Sequence, residues 1–207
     1  MKYDWKQDFS SANIADSELV EKLNAQYQSK AREFVKAHPN SIEATRINWF
    51  IEKLEGRILD IGCADGIVEV LAAKKGFEVV GVDIIDECLE KARESIKNES
   101  SGIKTKISFV KAWAEKLPFF TFSFDTVILA ETLEHVADPF KALEEGHRVL
   151  ANGGQILISV PNGNCRFPSH FRHYTKESLV AQVGKYFKCS IDESVELGRW
   201  IFLRGRK

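Results

Sequence analysis

The stretch RILDIGCADGIVEVLAAKKGFEVVGVD, Arg57 to Asp83, constrains the fold more than any other part of the chain. Its short apolar run, Ile58, Leu59 and Ile61, suits a buried parallel strand. Gly62 and Gly66 then bracket a tight turn, where a Cβ would block positive φ or keep a ligand from the backbone. Ile67 to Lys75 carries apolar residues at helical spacing and stops at Gly76, and Phe77 to Val82 reads as a second strand. Asp83 stands at the carboxyl end of that strand, 21 positions after Gly62. An acid so placed can accept both hydroxyls of a ribose while the helix start faces the ligand. The unit predicts a site for a ribose-bearing cofactor.

The rest of the chain continues the alternation. Strands are expected at Lys106–Val110, Asp125–Ala130 and Gln155–Val160, and helices at Glu87–Asn98, Pro139–Leu150 and Lys176–Gly184. Gly153-Gly154 reads as the turn before the fifth strand. Lys188–Glu196 and Arg199–Arg204 read as two antiparallel strands joined near Leu197-Gly198. Two helices precede the alternation, Ser17–Ala37 and a second that Ser41 caps and that runs to about Leu54. The expectation is an α/β fold: a Rossmann-like doubly wound sheet of seven strands, mostly parallel with a C-terminal antiparallel hairpin. Residues 1–207 form one domain, 1–55 a helical cap or lid and 56–207 the cofactor-binding core.

Composition narrows the partners. The 207 residues carry a net charge of −1 with both signs mixed, which disfavours nucleic acid as a non-specific partner. The basic tail Arg204–Lys207 reads as a solvated end. No apolar run approaches the roughly 20 residues of a membrane span, and acids and lysines interrupt the start as they would not in a signal peptide. The four cysteines, Cys63, Cys88, Cys165 and Cys189, show no paired spacing. That fits reduced thiols and a cytoplasmic location.

Three segments together carry a family resemblance. Asp60-x-Gly62-x-Ala64-x-Gly66 resembles the D-x-G-x-G-x-G loop of class I S-adenosylmethionine-dependent methyltransferases, with Ala64 in place of the middle glycine. Ala112-Trp113-Ala114-Glu115-Lys116-Leu117-Pro118-Phe119 resembles the family's G-D-A-E-x-L-P-F segment, with Trp113 in place of the acid. Phe124 to Val136 with Asp138-Pro139, and Arg148 to Gly154, resemble the family's fourth strand, its turn and the approach to strand five. The resemblance spans about Arg46 to Asn162. It implies S-adenosylmethionine as cofactor and S-adenosylhomocysteine as product, while the balanced charge and the lack of an added recognition domain point to a small-molecule acceptor, methylated through oxygen. It also implies a role for each matching residue. Asp60 supports the loop or meets the methionine amino group. Gly62, Ala64 and Gly66 form the loop, and Asp83 accepts the ribose. Ile84, Trp113 and Ala114 flank the adenine, and the Ala130 backbone approaches the sulfonium. Arg46, in a segment similar to the R-L-N-Y of quinone O-methyltransferases, meets the cofactor carboxylate. Two other readings stay open, a nicotinamide-linked oxidoreductase and a non-catalytic cofactor-binding module.

Glu131, Glu134 and His135 share one face if the turn after strand four is helical. Quinone O-methyltransferases carry a similar E-x-x-E-H. His135 can act as general base toward an acceptor hydroxyl, the three together can hold a divalent cation, or His135 can be structural; no metal is assigned. His170, Arg172, His173 and Tyr174, in the loop after strand five, are candidates for acceptor contact, with pairing of Arg172 to an acid and capping by Thr175 as the alternatives. Aromatic residues of the first 50 positions read as a lid or as core.

Overall fold

The computed structural model describes residues 38, 41–163, 170–192 and 198–207. The expected first helix, Ser17–Ala37, lies outside the described residues, as do Cys165 and the end of the strand expected to reach Glu196.

Helix α1, Ile42–Glu52, starts where Ser41 accepts the Ala44 N–H on its hydroxyl, as its capping side chain implies. Then come β1 (Ile58–Ile61), α2 (Ile67–Lys74), β2 (Val79–Asp83), α3 (Asp86–Ser95) and a short helix, α4 (Ser101–Lys104), which periodicity did not announce. Strands β3 (Ile107–Lys111) and β4 (Phe124–Ala130) lead to α5 (Pro139–Val149), which Asp138 caps. Strand β5 (Leu150–Pro161), α6 (Lys176–Val183), β6 (Lys188–Ile191) and β7 (Trp200–Arg206) complete the order.

The seven strands form one sheet in the order β3-β2-β1-β4-β5-β7-β6. Strands β1 to β5 pair in parallel, and β7 inserts antiparallel between β5 and β6. The order reverses between β1 and β4, so the connections after them leave toward opposite sides and open a crevice at the strands' carboxyl ends. Alternation along the strands divides the core. Leu59, Ile61, Val127 and Leu129 face α5 and α6, while Ile58 and Ile128 face α1 and α2 with Phe50 and Phe202. Among the described residues no helix is long and apolar enough to cross a membrane.

Strand β5 already begins at Leu150, opposite Phe124, but its continuous pairing with β4 and β7 starts at Gln155, directly after Gly153-Gly154, where Gly153 takes φ +76° and a register shift between Phe124 and Thr126 absorbs the extra residues. One expectation changes here. The tail Arg204–Lys207 is not a solvated end. Arg204 and Arg206 both reach Glu55, and Lys207 donates to the carbonyls of His147 and Leu150. The hydrogen bond from Arg206 holds the Glu55 carboxyl below its ordinary range.

Gln155, fully buried on β5, joins these parts. Its amide donates to the Lys53 carbonyl and the Thr126 hydroxyl, and its carbonyl accepts from Arg204. Replacing it by alanine takes this donor from the Lys53 carbonyl and leaves a void at a fully buried position. Gln155→Ala is expected to lower stability by about 3 kcal/mol in urea unfolding.

Candidate active site

The turn after β1 is fastened to the neighbouring strands. The Gly62 and Cys63 amides both donate to the Val82 carbonyl, at 2.7 and 3.0 Å. Gly62 has φ +83°, and a Cβ there would lie 2.5 Å from the Thr132 hydroxyl oxygen. That hydroxyl donates to the Ile61 carbonyl at 2.8 Å, so Thr132 closes the turn from the β4 side. Thr132 carried no signal in the sequence, because the two segments meet only in the sheet. Gly66 opens α2 against Phe109 and Ala92, so its service is packing. Ala64 adopts φ +49°, a left-handed backbone in a residue that has a Cβ. The expected cost of the missing middle glycine is therefore conformational strain, about 1–2 kcal/mol.

Asp83 ends β2 and is buried. Its two oxygens accept from the Ala64 and Ile85 amides, each at 3.0 Å. Burial raises its pKa, while the amides of Ile85, Ala64 and Ile84 pull the other way. Each oxygen keeps lone-pair capacity toward a further donor. Asp83 borders a cavity of about 370 Å³, within the ordinary size range of small-ligand sites. Asp60, Gly62 and Ala64 form its floor along the loop, and Ile84, Trp113 and Ala114 border it on the β2–β3 side. Arg46 and Ala130 reach it from α1 and β4. Gly66 does not line it. Arg46 keeps its Nε buried without a partner, and its guanidinium carbon lies 5.4 Å from the Trp200 ring centre.

Beyond Ala130 the chain turns sharply, and Glu131 takes φ +56°. Its carboxylate accepts from the Ser159 hydroxyl at 3.0 Å and from the Trp200 indole N–H at 2.6 Å. Burial raises its pKa against the pull of Arg46, Trp200 and Ser159. Glu134 is 1% exposed with neither oxygen partnered, and burial, then the charge of Glu131, pushes its pKa well up. His135 lines the cavity, with Nε2 4.0 Å from Glu134 Oε1. The His170 ring packs edge-on against it at 4.8 Å. The expected convergence of Glu131, Glu134 and His135 is thus corrected. The positive φ turns Glu131 toward Trp200, and the groups that bring a ligand atom each within 4.8 Å of one another are Glu134, His135 and His170.

Among the four loop candidates the structure separates roles. Arg172 is a clamp, and among the described residues no acid is its partner in a hydrogen bond. Its guanidinium donates to the carbonyls of Leu133 and Val136, both at 2.6 Å, and of Ala137 at 3.0 Å. It thereby ties the loop to the turn that carries His135, and the Phe171 amide adds a bond to the Glu134 carbonyl. Tyr174 is buried in the core, its hydroxyl unpartnered, and does not border the cavity. His173 is exposed and lies one ring further out, 6.4 Å from His170. Thr175 caps α6 in a reciprocal pair with Ser178.

A doubly wound sheet with a glycine-bearing loop, a buried acid ending β2 and a crevice at the topological switch is the architecture in which α/β folds of this class bind nucleotides. Residues 59–158 match the family described as Methyltransferase domain. Over 160 residues the chain is 33% identical to a ubiquinone biosynthesis O-methyltransferase of Pseudomonas aeruginosa, which covers 75% of this chain and 66% of that protein. The chain thus spans about two-thirds of the length of such curated relatives. The YcgJ protein from Bacillus subtilis superposes with a TM-score of 0.69 at 19% identity, over 79% of this chain and 98% of that one. An S-adenosylmethionine-dependent methyltransferase from Methanosarcina mazei gives 0.62 at 22%, over 76% and 96%. The chain belongs to the class I S-adenosylmethionine-dependent methyltransferase superfamily.

Two substitutions probe this geometry. Ala64→Gly relieves the left-handed alanine and is expected to raise stability by about 1 kcal/mol in urea unfolding. Arg172→Ala leaves three carbonyls without their shared donor and is expected to cost about 2 kcal/mol in the same measurement, with Arg172→Lys recovering only part, since an ammonium lacks the planar fork.

Proposed function

We propose that this protein transfers a methyl group from S-adenosylmethionine to an oxygen of a small-molecule acceptor. The observation that supports it most is that the Gly62–Ala64 turn, Asp83 and His135 line one and the same cavity. The side chains suit that cofactor. Asp60 keeps a buried oxygen without a partner, and Arg46 keeps a buried guanidinium nitrogen free to donate. Asp83 has acceptor capacity left for ribose hydroxyls, and Ile84 and Trp113 offer an apolar and an aromatic face for adenine. Gly66 serves through packing, since no part of it borders the cavity.

Bound S-adenosylmethionine supplies a methyl group already activated by its sulfonium charge. What this chain's residues add is alignment, exclusion of water and removal of a proton. Arg46 and Asp60 would hold the charged amino-acid tail, and Asp83 the sugar. His135 would accept the proton of an acceptor hydroxyl as the oxygen attacks, with the Arg172 clamp fixing its turn. The N-terminal residues 1–55 are proposed as a cap over this site within a single domain of residues 1–207. A cytoplasmic location is proposed on the scattered cysteines, which show no paired spacing.

Calorimetry with S-adenosylmethionine and S-adenosylhomocysteine tests the reading. Binding of both, with methylation of at least one phenol or carboxylic acid from a panel, is the expected result. Heat from NAD(H) alone would replace it with oxidoreductase chemistry, and tight binding without turnover across the panel would indicate a non-catalytic module. His135→Ala is expected to lower kcat by about 10²- to 10⁴-fold while leaving the affinity for S-adenosylhomocysteine within about threefold. Unchanged turnover would remove His135 from the mechanism.

A further inference from the structure

One buried acid has no part in the account above. Glu69 lies in the first turn of α2, directly behind the loop, and is 0% exposed. Neither of its carboxyl oxygens has a hydrogen-bond partner of good geometry. One of them rests on β2 where Gly81 leaves room, and a Cβ at Gly81 would come within van der Waals overlap of that oxygen. Its neighbour is Asp60, 2% exposed, with Oδ1 also buried and unpartnered. The two carboxyls influence each other, and Asp60, unlike Glu69, borders the cavity. Two such groups cannot both ionise in a dry setting. One proton between them resolves the conflict, and it belongs on Glu69, the deeper of the two.

We propose that Glu69 is a positioning residue of the cofactor site: its protonated carboxyl donates to Asp60 from behind the loop and so presents Asp60, ionised, to the ammonium group of an amino-acid-bearing nucleoside. The inference rests on the reading under Proposed function and deepens it. The surrounding charges fit. Asp65 and Cys63 on the loop and Asp83 at the end of β2 face the pair, and Arg46 of α1 supplies the nearby cation. Burial, then the charge of Asp83, pushes the Asp60 carboxyl up to about 7, while the contact with Glu69 and the charge of Arg46 pull it down. Glu69 itself is pushed well above the carboxylate range by burial and by Asp60. A folded-state pKa above the unfolded value of 3.8 means that the stabilising contribution of Asp60 is complete below 3.8 and is lost as pH rises through about 7. A ligand cation offsets that loss. The ligand-free protein is therefore expected to lose stability between about pH 4 and 7, and S-adenosylhomocysteine to restore more of it at the upper end of that range.

Two ligands separate a tail-specific role from general damage: S-adenosylhomocysteine, and 5′-methylthioadenosine, a nucleoside without the amino-acid tail. Their affinities are measured by calorimetry from pH 5.5 to 8.5 in the wild type, E69Q and E69L. Glu69→Leu removes the donor, so S-adenosylhomocysteine is expected to bind about tenfold more weakly at pH 7, its pH profile displaced upward by about one unit. Glu69→Gln keeps a neutral donor and should stay within about threefold of the wild type. Affinity for 5′-methylthioadenosine should match in all three. If E69L binds S-adenosylhomocysteine like the wild type at every pH, or loses 5′-methylthioadenosine in parallel, the proposal fails. Should E69L not fold, the wild type decides by calorimetry at pH 7 in two buffers of different ionisation heat. Proton release with S-adenosylhomocysteine and none with 5′-methylthioadenosine supports the proposal, and equal or absent release overturns it. A wild type that binds neither nucleoside overturns the methyltransferase reading itself, which is a separate result from one that binds both and is indifferent to residue 69.

Discussion

The Asp83 carboxylate holds two backbone amides, one from the loop after β1 and one from the start of α3, and the cavity takes its shape from that bridge. Without it the Ala64 amide would have no partner in a loop whose backbone is already strained, and the first and second crossovers would lose their common anchor. The same carboxylate faces the cavity with acceptor capacity to spare. One side chain thus shapes the cavity and keeps acceptor capacity toward it, which fits an acid at that strand end better than an amide.

The second feature of the site is the amount of negative charge it hides. Asp60, Asp83 and Glu131 line the cavity, Glu69 lies behind Asp60, Glu134 is buried beside His135, and Arg46 is a cation that acts on Asp60, Glu131 and Glu134 alike. Burial pushes all five acids toward their neutral forms, which is costly to the folded chain at neutral pH. Such an arrangement persists when a ligand repays it, and the family's cofactor carries both a sulfonium and an ammonium. The strain at Ala64 and Glu131 borders the same space. Irregular backbone and buried charge therefore coincide where the fold predicts a ligand.

Much of this was legible along the chain. Apolar runs with punctuating glycines located every described strand within a few residues, because a strand buried on both faces must be apolar throughout. The misjudgements share a cause. Arg204 and Arg206 resemble a solvated tail, yet Glu55 lies within reach once β7 enters the sheet beside β5. Arg172 resembles a ligand-binding arginine, yet the nearest acceptors are carbonyls of a turn nearly 40 positions earlier.

The sequence by itself determined the βαβ order, the glycine loop, the acid ending β2 and the family, because each depends on residues close in the chain and on a fixed local geometry. Only the tertiary structure decided the partners of the side chains. It set Thr132 against Gly62, turned Glu131 to Trp200 instead of toward His135, set His170 beside His135, and buried Glu69 behind Asp60. The reason is physical: spacing along a strand or helix fixes the side of that element from which a residue projects, whereas what it meets there depends on which distant segment the sheet brings alongside.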